Sequence, residues 1–150
     1  MLKNNILFLI FLFILSPKVY GTHIRAGEII AKRVSTTSLT YEFTIIGYTD
    51  TGSEVEFGGG KFNFGDGNSI EVLDEVALTS QKILLDNQVA LNLFTITHTF
   101  QAPGRYVVSY YEQNRNNGIL NMDNSVDTPF FIETEILIDP FFGQNNTPIL

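Results

Sequence analysis

Phe62-Asn63-Phe64-Gly65-Asp66-Gly67 and, about thirty residues further on, Thr97-His98-Thr99-Phe100-Gln101-Ala102-Pro103-Gly104-Arg105-Tyr106-Val107-Val108 decide how this chain folds. The first stretch is a strand that runs into a tight turn. The second is a strand, a Pro-Gly turn and another strand. Gly supplies positive φ, Asp bonds its own backbone, and Pro presets φ, so both turns are built from residues that make them at little cost. The apolar residues beside them alternate, and the two stretches read as two edges of one small β-sandwich.

Working outward, strand signals fill the chain. Residues 23–34 are rich in Ile and Val. Over 38–48, Leu39, Tyr41, Phe43 and Ile45 fall on one face and Thr40, Glu42 and Thr44 on the other, a period of two. Residues 54–60 are ambiguous because Gly58-Gly59-Gly60 weakens a strand. A short strand at 61–64 precedes the Gly-Asp-Gly turn, and 69–77 alternates loosely. Residues 80–86 fit a strand or one helical turn. A long strand is predicted over 89–100, with Phe94, Ile96, His98 and Phe100 on one face. Another is predicted over 105–113, with Tyr106, Val108 and Tyr110 on one face, and a polar hairpin-like loop follows at 114–118. A last strand spans 130–138, ended by Asp139-Pro140. About seven to nine short strands with turn chemistry between them imply an all-β fold, a sandwich of two antiparallel sheets.

The first 21 residues carry the three parts of a secretory leader. Lys3 gives a positive start, Ile6 to Leu15 is unbroken apolar, and Ser16-Pro17-Lys18 breaks the helix before Val19-Tyr20-Gly21. The apolar run is about half of what a membrane-spanning helix needs. Cleavage is expected after Gly21, leaving Thr22 first, with the protein secreted or on the outer cell surface and no membrane span once the leader is gone. Residues 22–139 then form one domain of ordinary size, large enough to bury a core. Residues 140–150 read as a linker or the start of a truncated further segment, and the chain is expected to be a fragment of a longer protein.

The chain has no Cys, which removes disulfides, Cys-based zinc sites and thiol nucleophiles from consideration. Its formal charge is −7, and −9 once Lys3 and Lys18 leave with the leader. That balance argues against nucleic acid and against an anionic membrane surface, and scattered acids of this kind serve solubility. Thirteen Phe and six Tyr without a Trp make Tyr the residue that would stack on a sugar.

The two quoted stretches together resemble the signature of PKD (polycystic-kidney-disease) domains: an aromatic before Gly-Asp-Gly, then His-Thr-aromatic, then Pro-Gly-x-Tyr-x-Val. The likeness covers about residues 40–115. It departs from the pattern where Phe62 replaces the usual Trp, and where the segment from Ser69 to Val89 is longer than in a minimal domain. Thr22-His23-Ile24-Arg25-Ala26-Gly27-Glu28-Ile29 is similar to the opening of large exported, gliding motility-associated proteins of gliding bacteria, which carry a C-terminal sorting domain for the type IX secretion route. The resemblance implies an immunoglobulin-like sandwich in a surface or secreted protein, and makes Phe64, Gly65, Asp66, Gly67, His98, Phe100, Pro103, Gly104 and Tyr106 motif residues.

Each chemically capable residue has a structural reading beside its functional one. Asp66 between two Gly reads as a turn residue, since a catalytic carboxylate needs a partner at a defined distance and none is implied. His98 reads as a packed histidine bonded to backbone. His23 would need to stand first or third to build a copper site with the terminal amine. Cleavage one residue earlier would place it third, but with bulky Tyr20 before the cut. Asn121, Asp123 and Asp127 alternate as calcium ligands do, yet Val126 and Ile132 occupy positions where an EF-hand needs Gly and Glu, so the segment is either a looser calcium loop or an Asx-rich turn. No Gly-x-Ser-x-Gly elbow is present, and Gly58-Gly59-Gly60-Lys61 lacks phosphate-loop spacing.

The expected function is therefore non-catalytic: a structural or adhesive module of a larger cell-surface protein, without cofactor, contacting a protein or glycan at the surface. The alternative is a glycan-binding module using Tyr48, Tyr110 and Tyr111, and a third reading is a glycoside hydrolase on paired acids.

Overall fold

A computed structural model of the chain describes residues 24–52, 57–72, 79–85, 88–113 and 115–139. The leader, His23 and the segment 140–150 lie outside the described residues. Among the described residues eight strands form: β1 Ile24–Arg33, β2 Thr40–Asp50, β3 Lys61–Asn63, β4 Ser69–Glu71, β5 Thr79–Leu84, β6 Val89–Thr99, β7 Gly104–Glu112 and β8 Phe130–Ile138. They build two four-stranded sheets, β1-β2-β6-β5 and β4-β3-β7-β8, with every strand pairing antiparallel. This is the strand order of an immunoglobulin-like sandwich, with β4 added at the edge of the second sheet.

The alternation read from sequence is the alternation that packs. Tyr41, Phe43 and Ile45 of β2 and Phe94, Ile96 and Phe100 of and after β6 point inward and are buried. They meet Phe62, Phe64, Val108, Tyr110, Ile136 and Ile138 from the facing sheet. The rings interlock: Phe43 lies 5.4 Å from Phe62, 5.9 Å from Phe64 and 6.2 Å from Phe100, centroid to centroid. Each such side chain taken from water contributes about 1.5–3 kcal/mol, which is how a sandwich without disulfides holds.

Where the pattern was ambiguous, neighbours decided. Residues 79–84 are a strand and not a helical turn, because β6 offers an edge and Gln81 pairs with Leu93 and Ile83 with Leu91. The loose alternation at 69–77 yields only the three residues of β4 within the described chain. Phe57, in the stretch weakened by glycines, is a core residue whose ring packs 5.2 Å from Phe94 and 5.5 Å from Tyr110.

The Pro-Gly corner is stapled. Tyr106 at the start of β7 donates its hydroxyl to the carbonyl of Ala102 at 2.8 Å, while its ring lies 4.4 Å from Phe100. This is the tyrosine corner of immunoglobulin-like sandwiches.

The β7–β8 connection is more than the tight loop expected at 114–118. It runs on to Pro129, contains a single 3-10 turn at Ser125–Asp127, and folds back on the start of β1. Asn116 donates its N–H to Ile24 O at 2.9 Å, and Ile24 bridges Arg115 in parallel. Arg115 donates to Pro129 O and covers the Phe130 ring. The strand β1 thus lies over β8, with Gly27 against Phe130 and Ile132.

Candidate functional site

Asp66 and His98, thirty-two residues apart in sequence, meet between the sheets. The turn that leaves β3 places Asp66, and the last inward position of β6 places His98. The His98 Nε2 and Asp66 Oδ2 atoms are 2.7 Å apart. Asp66 Oδ1 accepts the Asn68 N–H at 3.0 Å, so the turn role expected of it is real and uses one of its two oxygens. The imidazole lies flat on Phe64 with centroids 4.0 Å apart, and edge-on to Phe100 at 4.8 Å. His98 therefore does not spend its ring nitrogen on backbone, as the sequence led us to expect. It bonds a carboxylate, and the pair pins β6 to the β3–β4 turn across the sandwich.

Burial pushes the Asp66 carboxyl up, but the His98 hydrogen bond, the Asn68 backbone and side-chain hydrogen bonds and the His98 charge together outweigh it and hold the group below the ordinary carboxylate value. A carboxyl depressed in the folded state adds stability that is complete above its unfolded value of about 4 and is lost as pH falls through the folded value. Urea midpoints measured at pH 7, 5, 4 and 3 are accordingly expected to fall below about pH 4, and Asp66→Asn is expected to flatten that part of the profile. An equally steep acid limb in the variant would remove Asp66 from the account.

A second polar cluster sits at the other pole. Glu112, 2% exposed, accepts the Gly58 N–H at 3.2 Å and the Tyr110 hydroxyl. Burial, then the charge and hydrogen bond of Glu112, push the Tyr110 phenol far above its usual range, against a smaller opposing hydrogen bond from Gly60, so it stays a donor. Sequence reasoning missed Glu112. The signal was present in parity, because the inward series Tyr106, Val108, Tyr110 reaches Glu112 at its next step.

Of the three tyrosines expected to contact a ligand, Tyr110 is a correction. It is fully buried, because it alternates inward on β7 and its ring packs against Phe57 and Phe130. Tyr48 lies on the outer face of the first sheet, opposite Leu91 and Ala26. Tyr111, 40% exposed, lies on the outer face of the second sheet, so the structure does not bring Tyr48 and Tyr111 together. Tyr111 lines an open cleft of about 330 Å³ with Gly59, Gly60, Lys61, Glu71, Glu112 and Gln113. Asn121, Asp123 and Asp127 fall in the β7–β8 connection, where Asp127 donates its N–H to Asn124 O. No group of three or more His, Asp or Glu able to hold a metal occurs among the described residues.

Phe64, Phe100 and Tyr106, with Asp66 and His98, thus form one aromatic and polar knot around the Gly-Asp-Gly turn and the tyrosine corner. Family models, curated proteins and solved structures were each compared with the chain, and none matches it.

Proposed function

We propose that this chain is a non-catalytic, PKD-like sandwich module of an exported protein, serving as a structural or adhesive part of the cell surface. The observation that supports the reading is the way Asp66 and His98 are occupied. The two groups best suited to acid–base chemistry bond each other, and Phe64 and Phe100 wall the imidazole. A general base needs an open approach for the proton it takes. This pair serves the frame, and the frame is a rigid spacer that carries its outer sheet faces and loops toward a partner. The leader-like residues 1–21 supply the route of export in this reading.

The test is to express the chain from its full reading frame and recover it from outside the cell. It is expected to begin at Thr22 and to release no reducing ends from neutral or acidic polysaccharides. Hydrolysis that disappears in Asp66→Asn, with β-sheet circular dichroism intact, would overturn the non-catalytic reading, and an intact Met1 would overturn export by cleavage.

A further inference from the structure

The outer face of the second sheet carries a pattern that the core does not require. One residue from each of its four strands stands in a single row: Glu71 of β4, Lys61 of β3, Tyr111 of β7 and Phe131 of β8, each directly opposite the next. All four are exposed, Tyr111 by 40% and Phe131 by 49%, and the Lys61 and Glu71 charges lie 3.8 Å apart. The parallel row two residues along reads Ser69, Asn63, Ser109 and Glu133. A strip of one ion pair and two aromatic rings therefore runs beside a strip of hydroxyl, amide, hydroxyl and carboxylate. Four strands set the strip at about 14 Å long. The cleft of about 330 Å³ opens at the Tyr111, Lys61 and Glu71 part of the row.

We propose that this face binds a neutral carbohydrate chain, with a sugar ring stacked on Tyr111. A pyranose has a flat side of C–H bonds and a rim of hydroxyls. The Tyr111 ring, with Phe131 beside it, offers the matching apolar surface, and aromatic side chains with a polar tip suit a partner that is half apolar and half wet. The rim hydroxyls meet donors in Lys61 and Asn63 and acceptors in Glu71 and Glu133, with Ser69 and Ser109 able to do either. Charge selects the polymer. The chain carries −7, and on this face Lys61 and Arg105 are matched by Glu71 and Glu135 while Glu133 adds a further carboxylate, so the balance disfavours a uronate or sulfated chain. An extended peptide is a poorer fit, because it would add to a sheet edge, and Lys61 and Tyr111 lie mid-sheet where the backbone is already paired on both sides. The site deepens the adhesive reading and rests on it only for its setting, since its geometry is independent of export.

The experiment is native affinity electrophoresis of the purified chain through gels cast with hydroxyethyl cellulose, mannan or dextran, and with alginate as the acidic contrast. Retardation is expected in at least one neutral gel and none in alginate. Tyr111→Ala is expected to weaken it at least about tenfold, and Val107→Ala, on the same face but outside both rows, is expected to leave it unchanged. Unaltered mobility in all three neutral gels, retardation by alginate alone, or retardation that survives Tyr111→Ala in a protein with native circular dichroism would each overturn the proposal. Should Tyr111→Ala lose its β-sheet signal, Ser109→Tyr and Phe131→Ala carry the test, and undiminished retardation in both would overturn it equally. Retardation with release of reducing ends would uphold binding and overturn only the non-catalytic reading. Absence of both would overturn binding alone.

Discussion

Replacing Phe43 by Ala is expected to cost the fold about 4 kcal/mol. Phe43 is fully buried at the centre of β2 and touches rings from both layers: Tyr41 beside it, Phe62 and Phe64 opposite, and Phe100 after β6. Removing it forfeits the transfer energy of one large side chain and opens a cavity. Four neighbouring rings cannot collapse into that cavity without leaving their own contacts. Equilibrium urea unfolding measures the loss, and a thermal scan should show it as a drop of about 10–15 °C. Val107→Ala on the outer face is the control, expected within about 0.5 kcal/mol of the parent. Similar costs for both would mean that the two sheets do not pack as described.

Gly65→Ala should cost about 2–4 kcal/mol, for two reasons that can be separated. Gly65 has φ of +80°, a left-handed conformation that a Cβ disfavours by about 1 kcal/mol or more. The added methyl would also stand 2.5 Å from the Val107 carbonyl oxygen, which is backbone of β7 and cannot swing away. Gly67, in the same turn with φ of +95°, would present its added methyl to open space, with nothing within 4 Å, and bears the conformational cost alone. The difference in unfolding free energy between Gly65→Ala and Gly67→Ala therefore reports the close approach of the turn to β7. Equal costs would show that Gly65 is required for its torsion only.

The parts of this architecture that could be read from residues are those where one face of a strand is buried along its whole length. In β2, β6, β7 and β8 the inward rows are mostly apolar at every second position, with polar steps such as Asn92, Glu112 and Thr134, and the period stays legible through them. β5 was ambiguous because its partner, more than its composition, makes it a strand. Phe57 was obscured by the glycines that follow it, although it closes the lower core. The Asp66–His98 bond could not be read, since no local rule links a turn residue to a strand residue thirty-two positions away. The motif resemblance marked both residues without saying that they touch. Tyr110 shows the reverse case. Adjacent residues on a strand face opposite sides, so Tyr110 and Tyr111 were never able to serve one surface, and the inward pairing of Tyr110 with Val108 already told which of them was lost to solvent.

The seating of β1 over β8 has a mechanical consequence. Ile24 lies beside Arg115 and Gly27 beside Phe130, so β1 and β8 set out from the same pole and travel the same way. Tension applied between Ile24 and Ile138 would pull along the strands and not peel them apart. Rupture would require many contacts to slide at once, so the force that unfolds the sandwich along this axis is expected to exceed the force that peels its strands apart one by one.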